Sequence, residues 1–564
     1  MTDLEERLAQ PLKVMGFTSI RAGQIETLSA VLDDKEGDIL SILPTGGGKS
    51  GMFILPTLAL NLQCLVVSPL IALQEDQVSK LLSRNVVAVA MNSVKGKSYT
   101  DDDIKKYWMT GDIQFLYISP EKLQNKDVQS MLQYRRPGLV VVDEVHSADA
   151  WGEDFRPAYS RLVNLIDSIR PVKLLCLTAT LTPDAELNVI RMLGMKKVRK
   201  LVSFSCRENL KFKTSPGLDM NGIAKVLSKS GGPTIIYSST VKTIEDILLP
   251  ALAPTLADCG GVVAYHGQMT HATRTQSQDL FMSGRVRNII ATNAFGMGVD
   301  KADVRMVAHI DIPGSVEAYV QESGRAGRDG KDSTCFLTFS AKSISTQQHF
   351  LDMANPPRKF YELFWEHLTR WAEVSKDYDE QYRGPGILGK VIKLTVNEMS
   401  FQVQSQAVTA ALSQLSHMRF ILRGGMERST ICGEVMDVTK MPKGDAKDCE
   451  KDKAILKHFI QVGPHKKIPV TDVANELGFR TIKSFEGRLS SLSDAGALCY
   501  RIGSRSKTTT VIKNDLSTMD WDHLERKRER ELKALSQMVE FAEIPDADKH
   551  TALKNYFETG ELHA

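Results

Sequence analysis

Near-continuous apolar runs, separated by longer amphipathic stretches, dominate the first 340 residues. Ile39–Leu43, Cys64–Ser68, Val86–Met91, Gln114–Ile118, Leu139–Asp143 and Val172–Thr178 each carry little polar alternation. A strand with one face in water alternates; a run that does not alternate predicts a strand covered on both faces. Helical patterns fill the gaps, including one from Ser50 through Leu60. Together these features predict a parallel sheet wrapped by helices. A second set begins near residue 206: Thr234–Tyr237, Gly261–His266, Asn288–Thr292, Arg305–Ile310 and Thr334–Phe339. The expected fold class is therefore α/β, with two tandem parallel-sheet lobes over residues 1–205 and 206–345.

After Phe339 the pattern changes. Residues 357–372 read as an amphipathic connecting helix. Residues 376–440 read as a small helical module, ending in a helix marked by Val408, Leu412 and Leu415 and a strand at Met418–Arg423. The division expected here is 346–445 for connecting helix and module, and 446–516 for an α+β winged helix. Its first helix carries Ile455, Leu456 and Ile460, and Thr471 caps a short second helix. A third runs from Thr481 to Ala495, and the strand Ala497–Ile502 turns through residues 503–506 into Lys507–Lys513 as the wing. Lys483 and Arg488 on the third helix, with Arg501, Arg505, Lys507 and Lys513 on the wing, make a phosphate-binding patch; a protein-docking winged helix is the lesser alternative. Residues 517–564 form a C-terminal amphipathic helix whose stripe of Trp521, Leu524, Leu535, Met538 and Ala542 should pack on the body.

Composition changes this picture little. At 564 residues the chain has room for several domains, and 42% apolar residues suffice for their cores. A net charge of +3 is too mild to announce a polyanion partner, so any basic surface must come from local arrangement. Eight cysteines are scattered with no C-x-x-C pair, which argues against a zinc site or disulfide framework and for a reducing, intracellular setting. Cys64, Cys176, Cys335 and Cys499 sit in apolar runs, as small core residues do. No run approaches the roughly 20 residues of a membrane span, and the amino terminus lacks the layout of a signal peptide.

Chemistry enters at Leu43-Pro44-Thr45-Gly46-Gly47-Gly48-Lys49-Ser50, where the first strand meets a helix. Glycines let backbone N–H groups crowd a phosphate, and the helix start adds its positive dipole end. Lys49 can neutralise phosphate oxygens and Ser50 can ligate Mg²⁺. Upstream, Gln24 can pair with an adenine edge, with Phe17 and Arg21 on its faces; alone, these three also fit a plain surface helix. Val140-Val141-Val142-Asp143-Glu144-Val145-His146 delivers two carboxylates to the carboxyl edge of the sheet, where ligands of such folds bind. Asp143 can hold Mg²⁺ and Glu144 can polarise the attacking water, although such a pair also starts ordinary capped helices. Thr178 and Thr180 end another run. In the second set, Gly324-Arg325-Ala326-Gly327-Arg328 offers two guanidiniums that can reach across a cleft, or merely a basic turn.

In this order the motifs resemble those of the RecQ-type helicases of superfamily 2, over roughly residues 10–345. Added to those above are Ser68-Pro69-Leu70-Ile71-Ala72-Leu73, Ser119-Pro120-Glu121 and the segment from Ala291 to Asp300. The stretch His146 to Pro157, with Trp151, Phe155 and Arg156, resembles the family's aromatic-rich loop, which couples DNA binding to hydrolysis; flat side chains there can stack on single-strand bases. The resemblance implies two RecA-like lobes and an ATP- and Mg²⁺-dependent 3′→5′ DNA helicase acting on a duplex with a single-stranded tail. Lys49, Glu144, Arg325 and Arg328 would be catalytic. Phe17, Arg21, Gln24, Thr45, Gly46, Gly47, Gly48, Lys49, Ser50 and Asp300 would bind ATP, and Ser50 and Asp143 would bind Mg²⁺. Ser68, His146, Trp151, Phe155, Arg156, Thr178 and Thr180, with Lys483, Arg488 and Arg505, would meet or sense DNA. Two departures stand out. Many RecQ proteins carry a four-cysteine zinc module that this chain lacks, so no zinc is expected; its tail, Val539 to Phe557, resembles a zinc-module helix without the cysteines. The wing tip has no aromatic to serve as a strand-separating pin. A protein partner for the winged helix is allowed, and a membrane is not expected. An RNA helicase, or an ATP-regulated assembly factor that does not separate strands, remains an alternative.

Overall fold

The computed structural model describes residues 3–33, 37–43, 47–69, 71–92, 99–145, 162–169, 173–179, 181, 183–202, 207–296, 301–374, 391–392, 405–426, 430–440, 442, 446–463, 468–469, 473–474, 476–479, 482–502, 507–511, 513 and 515–563. The chain divides into two compact units, Met1–Leu351 with Arg526–Ala564, and Asp352–Glu525. No helix among the described residues is long and apolar enough to cross a membrane.

The first unit contains both expected lobes. Strands β1 (Ile39–Ile42), β2 (Cys64–Val67), β3 (Ala88–Met91), β4 (Phe115–Ile118), β5 (Leu139–Val142), β6 (Lys173–Thr178) and β7 (Arg199–Val202) form one sheet in the order β3-β4-β2-β5-β6-β1-β7. Every pairing in it is parallel. The strand period of two sorts the runs onto two cores. Leu40, Leu65, Leu116, Val140 and Leu174 face one helical layer; Ile39, Val66, Phe115, Val141 and Leu175 face the other. Burial pushes the Cys64 thiol up to about 12, as befits an inert core residue.

The second lobe holds β8 (Leu210–Thr214), β9 (Thr234–Tyr237), β10 (Val262–Tyr265), β11 (Asn288–Ala291), β12 (Met306–His309) and β13 (Ser333–Leu337), in the order β10-β11-β9-β12-β13-β8 and again parallel. Ile236, Ile290, Ala308 and Phe336 pack on the helices Met220–Ser228 and Leu249–Ala257. The opposite face, with Ile235, Ile289, Val307 and Cys335, is covered in part by the end of the chain. Two helices, Trp521–Glu543 and Lys549–Thr559, supply Met538, Phe541, Tyr556 and Phe557 to that core. The apolar stripe is thus divided: Leu535, Met538 and Ala542 lie buried in the second half of the first of these helices, while Trp521 and Leu524 belong to the second unit and pack on that unit's own core.

In the second unit the expected wing is not a hairpin. Strands β14 (Val391–Ile392), β15 (Ile421–Met426), β16 (Thr430–Val435), β17 (Ile468–Pro469), β18 (Leu498–Ile502) and β19 (Lys507–Val511) make two sheets, β14-β19-β15 and β17-β16-β18. β18 pairs antiparallel with β16, Val435 opposite Leu498; β19 pairs with β15, Ile421 opposite Val511. Each strand follows its own core. Leu498 joins Ile455, Phe459 and Phe485, whereas Val511 joins Trp365, Leu412 and Phe420. A closed hairpin would have drawn both onto one core. The boundary drawn at 445/446 therefore cuts between paired strands. Ile460, expected inside, is 59% exposed, and its neighbour Phe459 is buried instead.

Candidate active site

Strands β1, β6 and β5 are neighbours, and their carboxyl ends are laced together. Leu43 N–H donates to Thr178 O (2.9 Å), and Val145 N–H donates to Leu177 O (2.9 Å). From the glycine loop, Gly47 to Ser50 are described and run directly into the helix Gly51–Ala59. Gly48 has φ +84°, and a Cβ there would lie 2.5 Å from Gln24 Nε2, so torsion and close approach both require glycine. The Gln24 amide donates to Gly48 O (2.8 Å) and accepts from Arg21 N–H (2.9 Å). The Phe17 ring lies beside Gly51. Phe17, Arg21 and Gln24 are therefore gathered against the loop, and Gln24 keeps one N–H and one lone pair for a further partner.

Across the strand ends, Lys49 Nζ donates to Glu144 Oε1 at 2.8 Å. Glu144 has φ +51°, a left-handed conformation that side chains other than glycine rarely adopt and that concentrates at functional sites. Asp143 is buried. Burial pushes its carboxyl up to about 6, the Glu144 charge adds to this, and Lys49 and the Glu144 N–H (2.9 Å) oppose it. A buried carboxylate so weakly compensated is matched to a cation: Asp143 fits Mg²⁺, and Lys49 fits the phosphate oxygens such an ion would accompany. Gln77 also donates to Asp143. One turn earlier on the same helix, Ile71–Leu82, buried Gln74 donates to Ser68 O (2.7 Å). Ser68 and Thr178 are themselves buried at strand ends.

In the second lobe the helix Val316–Ser323 ends in the Arg325–Arg328 turn. Arg325 is buried and donates through Nη1 to Gly296 O. The adjacent carbonyl, Phe295 O, accepts from Tyr237 Oη (2.6 Å). His309 stacks on Tyr237 and bonds Glu322 at 2.8 Å. Arg207 feels arginines of both lobes: burial, and then the like charges of Arg328 and Arg21, pull its pKa down. The arginine turn thus shares an electrostatic neighbourhood with the Phe17-Arg21-Gln24 group of the first lobe.

The remaining expectations fare unevenly. Thr45, Gly46, His146, Trp151, Phe155, Arg156, Thr180, Asp300 and Arg505 lie outside the described residues. Lys483 falls on the helix Ile482–Asp494. Arg488, on the same helix, does not face outward to phosphate. Its guanidinium binds both oxygens of Asp452, which is fully buried, and Asp448 at 3.1 Å. A buried carboxylate needs such a fork, and Asp448 and Asp452, one turn apart, were the overlooked signal. Sequence reading also passed over Arg207, Asn209, Gln74 and Gln77, which carry no motif of their own. Among the described residues no group of three or more His, Cys, Asp or Glu could hold a metal ion.

Residues 21–188 match the DEAD/DEAH box helicase family model, and residues 219–330 match the helicase conserved C-terminal domain. The chain is 34% identical over 363 residues to the probable ATP-dependent DNA helicase RecS of Bacillus subtilis, covering 63% of this chain and 70% of that protein. It is 33% identical over 367 residues to the ATP-dependent DNA helicase RecQ of Haemophilus influenzae, but spans only 58% of that protein's length. A crystal structure of the DUF1998 helicase MrfA bound to DNA shares the fold, with a TM-score of 0.50 at 17% identity over 62% of this chain and 50% of that one.

Proposed function

As a member of the RecQ-type family of ATP-dependent DNA helicases, this chain, we propose, couples ATP hydrolysis between its two lobes to 3′→5′ movement along single-stranded DNA and separation of the duplex ahead. The observation that carries this reading is the Lys49–Glu144 pair at 2.8 Å beside buried Asp143, with Phe17, Arg21 and Gln24 gathered against the loop that leads into Lys49. In the proposed site the leftover donor and acceptor of Gln24 read the adenine edge, which offers a complementary pair. Phosphate oxygens take Lys49 from Glu144, and the released carboxylate orients the attacking water. Bound Mg²⁺, held by Asp143 and Ser50, would neutralise charge on the phosphates. Arg325 and Arg328 complete the site from the second lobe as charge builds on the transferred phosphoryl group. Trp151, Phe155 and Arg156 would report the presence of a single strand, and the second unit would carry the duplex or a protein partner, inside the cell.

A duplex with a 3′ or a 5′ single-stranded tail tests this directly. Release of the strand from the 3′-tailed duplex alone, with ATP and Mg²⁺, is the expected result, and Lys49→Ala should abolish it. Unwinding from the 5′ tail would overturn the polarity. Nucleotide hydrolysis without strand release on any tail would favour an assembly factor, and replacing the loading strand by RNA separates DNA from RNA specificity.

A further inference from the structure

The tripeptide Arg207-Glu208-Asn209 enters β8 and grips the arginine turn of the second lobe at three carbonyls. Arg207 Nη1 donates to Gly324 O (3.4 Å) and Nη2 donates to Ala326 O. These carbonyls belong to the residues on either side of Arg325. Asn209 Nδ2 donates to Gly327 O (2.9 Å), the residue before Arg328, and to Lys331 O (2.8 Å). A peptide carbonyl fixes the plane of the bond to the next residue, so these contacts set the directions in which Arg325 and Arg328 leave the backbone.

The fit is close. Gly327 has φ +54°, and a Cβ there would lie 2.5 Å from Asn209 Nδ2 and 2.7 Å from Lys331 O. The backbone on the far side is anchored separately: Gly327 N–H donates to Val304 O (2.8 Å), and Arg305 holds both oxygens of Asp329 at 2.7 Å. The guanidinium of Arg207 sits in a costly place. It is half-buried, its Nε is buried without a partner, and Arg328 and Arg21 are like charges nearby. Scaffolding alone gives no reason to keep a third cation there; a neutral side chain would avoid the repulsion.

We propose that Arg207 and Asn209 are positioning residues that hold the arginine turn in the geometry hydrolysis requires. The inference rests on the nucleotide reading of the cleft and adds to it a role for residues outside the recognised motifs. Binding of ATP depends on the first lobe and is left intact; the rate of the chemical step depends on where the guanidiniums stand. Displacing a reacting group by about 1 Å costs on the order of 100-fold.

The test compares Arg207→Ala, Arg207→Lys, Asn209→Ala, Arg325→Ala and Arg328→Ala with the parent chain by steady-state ATPase assay with saturating single-stranded DNA, alongside Tm. The expected result for the Arg207 variants and Asn209→Ala is a fall in kcat of about 100-fold, with KM within about threefold and Tm little changed. Lysine should not rescue, because a single ammonium cannot span both carbonyls in the planar fork of a guanidinium. Arg207→Ala combined with Arg325→Ala should be no slower than Arg325→Ala alone, since Arg207 holds the carbonyls on either side of Arg325 and acts through it. If Arg207→Ala fails to fold, Asn209→Ala decides. Parental kcat in Arg207→Ala or Asn209→Ala, with Arg328→Ala inactive, overturns the clamp and leaves the nucleotide reading standing. Parental kcat in Arg325→Ala and Arg328→Ala overturns both. An additive loss in the double variant would also overturn the clamp, by giving Arg207 an effect of its own.

Discussion

In the first lobe, Lys49 and Glu144 hold each other across the ends of two strands; in the second, Arg325 and its turn are held by carbonyls and side chains with no chemistry of their own. Both lobes are parallel sheets, but the arginine turn of the second lies where β8, β12 and β13 begin: Gly327 N–H donates to Val304 O and Asn209 donates to Gly327 O. The first keeps its charges paired with one another, so an incoming polyphosphate need only exchange partners. The second keeps a charge aimed by neutral backbone, so its geometry does not wait for a ligand. One lobe is arranged to respond and the other to be precise, which suits a cycle in which ATP binds first to one side and is completed from the other.

Removing the exchangeable partner should break the first arrangement most severely. Glu144→Gln keeps shape and removes the proton acceptor; DNA-stimulated kcat should fall on the order of 1,000-fold or more, with ATP affinity unchanged or tighter because Lys49 loses its competitor. Steady-state hydrolysis and fluorescent-nucleotide titration measure the two effects. Undiminished turnover would remove Glu144 from the reaction.

The second lobe should be vulnerable through its scaffold instead. Phe541 lies in the core beneath β8, near Phe212 and Tyr319, yet comes from the end of the chain. Phe541→Ala should destabilise the second lobe by about 3–5 kcal/mol, a typical loss for a buried phenylalanine, while nucleotide binding by the first lobe survives. Denaturant unfolding followed by nucleotide titration separates the lobes. A simultaneous loss of both would show that they do not respond independently.

The contrast also explains what the sequence made legible. Central strands of both sheets were readable because burial on two faces leaves uninterrupted apolar runs. The edge strands β7 and β8 were missed because Arg-Lys-Leu-Val and Leu-Lys-Phe-Lys-Thr are interrupted by charge, as edges of a sheet are. In the site, motif residues were found by their spacing, whereas Arg207 and Asn209 were not. They act on carbonyls, which every residue has, so their targets leave no mark in sequence. Arg488 failed for a related reason. A basic residue on a third helix looks like a phosphate ligand until the acidic neighbour is seen. Arg488→Ala should therefore cost the second unit about 3 kcal/mol by leaving Asp452 buried and unpaired, and leave DNA affinity, measured by anisotropy below the transition, unchanged.

The smallest expected effect sharpens the comparison at its chemical centre. Asp143 differs from the arginines opposite in that its charge depends on pH near neutrality: burial and then Glu144 raise its carboxyl from 3.8 to about 6. A raised carboxyl means the folded chain binds a proton more readily than the unfolded one. Without Mg²⁺, that stabilisation is complete below about 4 and is lost as pH rises through about 6. Mg²⁺ needs the ionised form, so its apparent affinity should be level above about pH 7 and fall towards tenfold per pH unit below about 6. The Mg²⁺ concentration giving half-maximal hydrolysis, measured between pH 5 and 8 at saturating ATP, reads this directly. Asp143→Asn should bind Mg²⁺ weakly at every pH and lose the slope, whereas Arg328→Ala should keep the slope and lose only rate, because a guanidinium does not titrate here. A Mg²⁺ requirement level down to pH 5 in the parent chain would mean that Asp143 is already ionised by a partner, and that the first lobe is as fixed in charge as the second.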